Sequence, residues 1–105
     1  MAAINQDFVK FKGDDFNLKF TIEDIGSAEG YDASWKLNSN PQVVKTDGSG
    51  ISITGNEVTV SIGKADTVNL AAGPYTHELQ LINNDVGGVA ASGTLDLREP
   101  LHDRS

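Results

Sequence analysis

The chain has 105 residues, the size of one domain with a single modest core, and its 8 basic against 15 acidic residues give a formal net charge of −7. That balance argues against nucleic acid and anionic membrane surfaces as partners, since phosphates are bound by clustered Lys and Arg. With no cysteine, disulfide scaffolds, thiolate zinc sites and cysteine nucleophiles are excluded.

Residues 1–6 read as a short N-terminal arm, and they lack the basic stretch and long apolar run of a signal peptide. The following Asp7-Phe8-Val9-Lys10-Phe11-Lys12 alternates as a first strand, with Val9 and Phe11 the better core candidates. Gly13, Asp14 and Asp15 signal a turn whose carboxylates cap backbone N–H groups. In the next strand Phe16, Leu18, Phe20 and Ile22 share one face, while Asn17, Lys19 and Thr21 share the other. Residues 23–32 show no periodicity and read as a loop. Ala33, Trp35 and Leu37 then point inward from a strand that Asn38-Ser39-Asn40-Pro41 ends.

Residues 42–45 are expected as a short edge strand, with Lys45 blunting the edge. Asp47-Gly48 is a favoured type I′ pair. Residues 51–62 form a predicted hairpin whose second half buries Val58, Val60 and Ile62. A single helical turn fits 64–70, with Asp66 or Thr67 bonding free N–H groups where it begins. Gly73 and Pro74 reset the backbone, and Tyr75 opens the next strand with its hydroxyl anchored on a neighbouring loop. Tyr75, His77, Leu79 and Leu81 share a face of that strand. A reversal follows at 83–88, and the last strand puts Val89, Ala91, Gly93, Leu95 and Leu97 on one face. Residues 99–105 read as a polar tail.

These elements predict an all-β chain: an antiparallel two-sheet immunoglobulin-like sandwich of about seven strands over 7–98, with one short helical turn near 64–70. Its core is expected from Phe16, Leu18, Phe20, Ile22, Trp35, Leu37, Val58, Val60, Ile62, Leu79, Leu81 and Leu95. The structural turn and cap positions are Gly13, Asp14, Asp66, Thr67, Gly73, Pro74 and Tyr75.

Chemistry-bearing motifs are sparse. The two histidines, His77 and His102, lack the spacing of a catalytic zinc site, and His77 reads as a packed or interface residue. Neither a G-x-S-x-G elbow nor a phosphate loop is present. Asp14, Asp15, Glu23, Asp24, Glu29 and Asp32 can gather at one end of a sandwich, as a calcium site or a sparse carboxylate site would need. They lack D-x-D-x-D-G spacing, and turn capping is the reading preferred for Asp14 and Asp15. The expectation is a protein without cofactor, metal or catalytic residues.

Several landmarks together resemble a known family: Phe11-Lys12-Gly13-Asp14-Asp15 before Phe16-Asn17-Leu18-Lys19-Phe20, Val58-Thr59-Val60, Ala65-Asp66-Thr67 with Leu70, Gly73-Pro74-Tyr75, Glu78-Leu79-Gln80-Leu81, and Gly93-Thr94-Leu95. From Phe8 to Leu97 the chain is similar to small β-sandwich modules of tailed-bacteriophage virions. Among these are the N-terminal domain of baseplate upper proteins and other immunoglobulin-like phage structural proteins. The resemblance implies a non-enzymatic virion building block of the tail, baseplate, neck or capsid surface, made in the host cytoplasm. Its implied partners are other virion proteins and further copies of itself, reached through sheet edges, loops and both chain ends. Baseplate upper proteins continue into a longer region, so a chain of this length is expected as a decoration, adaptor or tail component. The alternative is a carbohydrate- or receptor-binding sandwich, for which Tyr31 in the acidic loop is the candidate ligand contact.

Overall fold

Alternating apolar and polar residues build nine strands and one helical turn among the described residues. In chain order these are β1 (Ile4–Asn5), β2 (Phe8–Phe11), β3 (Phe16–Thr21), β4 (Asp32–Leu37), β5 (Val43–Asp47), β6 (Gly50–Thr54), β7 (Glu57–Ile62), α1 (Lys64–Thr67), β8 (Gly73–Asn83) and β9 (Val86–Arg98). The description comes from a computed structural model and covers residues 4–22, 28–40, 42–83 and 86–101. The expected reversal and C-terminal tail lie partly outside these residues, as do Glu23, Asp24 and His102.

Hydrogen bonding joins the strands into one mixed sheet in the order β1-β9-β8-β4-β5-β6-β7-β3, with β2 also on β9, and the sheet curls into a half-barrel. The β3–β7, β6–β7, β4–β5, β4–β8 and β8–β9 pairs are antiparallel. By contrast, β1 and β2 run parallel to β9, and the two-residue contact of β5 with β6 is also parallel, where the sequence reading expected antiparallel pairing throughout. An extended parallel ladder needs a long connection. For β1 and β2 the partner lies at the far end of the chain, where no local pattern announces it. Ile4 and Asn5, within the segment expected as an arm, form β1 on this pairing.

The concave side of the curl holds the core. Leu18, Phe20, Ile22, Trp35, Leu37, Val58, Val60, Ile62, Leu79, Leu81 and Leu95 are all buried, together with Leu70 and Leu97. Phe16 is only half-buried and packs at the margin of this cluster, because it begins β3 at the rim.

Three expectations about single elements are corrected and a fourth is refined. Val9 and Phe11 are 58% and 47% exposed, while Phe8 faces the core. The run Phe8-Val9-Lys10-Phe11 has apolar residues at both parities, and the parallel register on β9 selects Phe8. The segment 42–45, expected as an edge strand, lies at the start of β5, where Val43, Val44 and Lys45 pair with β4 alone and only Thr46 and Asp47 reach β6. Lys45 there also forms an ion pair with Asp66. The β8–β9 register shifts between Leu79 and Gln80 of β8, whose partners on β9 are Ala91 and Val89. Ala90 is the extra residue of this bulge, and it is buried beside Ala91 while Val89 is half-exposed. Finally, the helical segment is one short turn, Lys64–Thr67, briefer than the expected 64–70.

Candidate functional site

The turn and cap candidates meet at one end of the half-barrel. The Gly13 N–H donates to Thr67 Oγ1 at 2.9 Å, and Thr67 is fully buried. Asp15 Oδ1 accepts from the Lys64 N–H at 2.8 Å, so a carboxylate of the β2–β3 turn caps the start of α1. Asp66 Oδ2 accepts from the Gly63 N–H at 2.8 Å and lies 2.9 Å from Lys45 Nζ. Asp14 contributes its N–H, at 3.4 Å from the Phe11 carbonyl. Gly73 and Pro74 open β8, and the Tyr75 hydroxyl donates to the Ala71 carbonyl at 2.7 Å. The Gly13 and Asp15 bonds fasten the β2–β3 turn to α1, and the Tyr75 bond ties β8 to the chain just ahead of it.

A second cluster, missed by the sequence reading except for His77, forms where the N-terminal strands meet β9. His77 and Thr67 are the buried polar side chains among the described residues. The indole N–H of Trp35 can only donate, and it points at His77 Nδ1 from 3.4 Å. Nδ1 is therefore the acceptor, and the ring proton sits on Nε2, which donates to the Gln6 carbonyl at 2.7 Å. Burial holds the imidazole below its ordinary pKa, an effect partly offset by the bond to Gln6 and by the negative charge of Asp7. Phe8, Phe20 and Trp35 surround the ring at centroid distances of 5.6, 5.8 and 6.1 Å.

The backbone explains why the Gln6 carbonyl is available. In a regular parallel ladder it would accept from the Thr94 N–H. Asp7 Oδ1 takes that N–H instead, at 2.8 Å, and this interrupts the ladder between β1 and β2. Gly93, opposite His77 in the β8–β9 register, makes room for the crossing. A Cβ at Gly93 would lie 2.2 Å from the Gln6 carbonyl oxygen and 2.7 Å from Asp7 Oδ1. A histidine at a core parity position, opposite a glycine, is the sequence signal that marks this clasp.

The strand so held presents an open edge. The Gln6 N–H donates to the Ser92 carbonyl and the Lys12 N–H to the Arg98 carbonyl. Alternation along a parallel ladder then turns the backbone groups of Val9 and Phe11 away from β9. No described strand pairs with β2 on that side. The opposite rim, β3, differs. The Ile22 N–H bond to the Asn56 carbonyl sets the alternation so that Asn17, Lys19 and Thr21 own its free backbone groups, and their exposed side chains are polar. One rim is thus blunted by polar residues and a lysine, and the other carries two half-exposed apolar side chains.

The remaining candidates are dispersed. Tyr31 is half-buried and packs against the core. Glu29 accepts from the Gly55 N–H at 2.8 Å. No group of three or more His, Asp or Glu among the described residues is arranged to hold a metal ion. Two shallow depressions lie on the outer face of the sheet, one beside Lys36, Gln42 and Glu78, the other beside Asp32, Thr46 and Gln80.

No protein-family model matches the chain, and no curated protein matches it either.

Proposed function

We propose that this chain is a non-enzymatic structural component of a tailed-phage virion, acting through protein–protein assembly, and that the edge of β2 is a contact it offers. The observation that carries the reading is the outer edge of β2, which no described strand pairs, with the Val9 and Phe11 side chains exposed. Monomeric proteins usually protect such an edge with charge, proline or a covering element. An extended segment of a neighbour fits it, with main-chain bonds supplying affinity and the two apolar side chains supplying a buried strip.

The finer fold reading belongs with this proposal. We read the curled sheet as a variant of the immunoglobulin-like sandwich of phage structural modules. One layer is β1/β2-β9-β8-β4-β5 and the other β6-β7-β3. The β5–β6 pairing, limited to Thr46 with Gly50 and Asp47 with Ile51, is the corner between them. The neighbours are other virion proteins or further copies of this chain, and the net charge of −7 disfavours packaged nucleic acid and membrane as partners.

The test is peptide mass spectrometry on gradient-purified particles from cells producing the phage that encodes the chain. The expected result is co-sedimentation of the chain with particles at a fixed copy number. Recovery only from the soluble fraction would overturn the reading. Val9→Lys combined with Phe11→Lys is expected to leave folding intact and remove the chain from particles.

A further inference from the structure

We propose that the hydrogen-bond chain Trp35–His77–Gln6 is an acid-sensitive latch: it holds residues 4–11 on β9 while the imidazole is neutral and releases them when Nδ1 takes up a proton. This is independent of what the chain assembles with.

The geometry carries the proposal. Neutral His77 satisfies both neighbours at once, accepting from Trp35 and donating to Gln6. A proton on Nδ1 would leave two N–H groups facing each other across 3.4 Å. The charged and titratable surroundings offer little relief. On β2, β3 and β4 the ring meets Phe8, Phe20 and Trp35, which offer aromatic faces and no lone pair for an Nδ1 proton. The carboxylate whose field reaches the ring is that of Asp7, and its Oδ1 already accepts from the Thr94 N–H. On β8 and β4 the flanking Glu78 and Lys36 are on exposed positions of the opposite sheet face. Opposite His77 on β9 is Gly93, which has no side chain.

A buried imidazolium gains most from reaching water, so the element that yields is the one most easily moved. The strands carrying Trp35 and His77 are paired on both sides, β4 by β5 and β8, and β8 by β4 and β9. By contrast, β1 and β2 are short, sit on the rim and pair with β9 alone, in the parallel mode that is slightly weaker per residue. Their departure removes the Gln6 carbonyl and the Phe8 ring from His77 and opens the imidazole to solvent.

Residue-resolved amide exchange on the intact chain tests this between about pH 7.5 and about pH 4.5, with the His77 ring titration followed by NMR on the same samples. After correction for intrinsic exchange, protection of the amides in 6–12 that face β9, those of Gln6, Phe8, Lys10 and Lys12, is expected to fall by about tenfold or more in step with His77 protonation, while β4 and β7 stay protected. Retained protection at 6–12 once His77 is charged would overturn the proposal. So would loss at 6–12 only together with β4 and β7, which would be global unfolding. Asp7→Asn keeps the acceptor for Thr94 but does not titrate, and it removes a charge that favours imidazolium. Release is expected to persist in that variant at a lower pH, and its disappearance would assign the switch to Asp7 instead. His77→Gln is expected to hold the strand across the range. Should that variant fail to fold, the wild-type and Asp7→Asn profiles still decide.

Discussion

The ring of Phe8 meets the ring of Phe20 edge to face, with centroids 5.6 Å apart and planes at 84°, although no backbone hydrogen-bond ladder joins β2 to β3. The two rims of the half-barrel therefore meet through side chains. Lys10 repeats the pattern one turn of the pleat further on, its ammonium 5.6 Å from the Phe16 ring centroid. Closure by side chains leaves the main-chain groups of Val9 without a partner strand among the described residues.

Phe8→Ala removes that closure. Because Phe8 is half-buried, its truncation is expected to cost about 2–3 kcal/mol, toward the low end for a core phenylalanine. Urea unfolding followed through the single tryptophan, Trp35, measures it. A cost near zero would mean that the rims do not depend on this contact.

Gly93→Ala places a methyl group 2.2 Å from the Gln6 carbonyl oxygen and 2.8 Å from its carbon, both backbone atoms. The neighbour cannot rotate away, so the N-terminal strands are expected to shift off β9, with a loss of about 2–3 kcal/mol. Amide exchange at residues 6–12 reports the displacement, and unchanged protection there would refute the close approach.

Thr67→Val keeps the shape of a fully buried side chain but leaves the Gly13 N–H without its acceptor. The expected cost is about 1–3 kcal/mol, and Thr67→Ser is expected to recover most of it. Thermal melts of the two variants side by side separate the hydroxyl from the methyl group.

Asp66 has two separable roles. Asp66→Ala loses the bond from the Gly63 N–H and is expected to cost about 1 kcal/mol. Asp66→Asn keeps an acceptor and loses only the charge opposite Lys45, a partly exposed pair, and is expected to cost under about 1 kcal/mol. Equal losses in denaturant titrations would show that the ion pair, not the cap, dominates.

Stability is expected to fall on mild acidification. His77 is neutral in the folded chain because desolvation lowers its pKa, with Gln6 and Asp7 opposing. In the unfolded chain it titrates near its ordinary value, about 6.5. The unfolded state therefore binds more protons as pH drops below that value. The stability contributed by the neutral ring is fully present above it and is lost as pH falls through the lowered folded-state value. Urea midpoints at several pH values, wild type against His77→Gln, isolate the contribution, since shared carboxylates cancel in the difference. Parallel curves would exclude it.

Much of the framework is legible in the sequence because burial on one face imposes a period of two. Leu18, Phe20 and Ile22, then Val58, Val60 and Ile62, then His77, Leu79 and Leu81 all announce their inward side this way and lie buried. Asp66 is legible as a cap of the helical turn, whereas Thr67, read as the alternative cap, accepts from the Gly13 N–H of the distant β2–β3 turn instead. The inward residue of β2 is not legible, since Phe8 and Val9 compete and only the distant strand β9 decides between them. Ala90 is hidden because a bulge resets parity without a distinctive residue. The clasp is hidden because its parts, Gln6, Asp7, His77 and Gly93, come from segments that no local window contains together.

The pairing of the first strands with the last has a consequence for synthesis. Asp7 and Thr94 are 87 residues apart, and at about 5–20 residues per second the ribosome needs several seconds to supply β9 after β2 has emerged. Throughout that interval Phe8, Val9 and Phe11 have no native partner strand, and contacts of such sequence separation form late. Lys10 and Lys12, set between and beside these residues, are charges of the kind that disfavour pairing between waiting segments of neighbouring nascent chains.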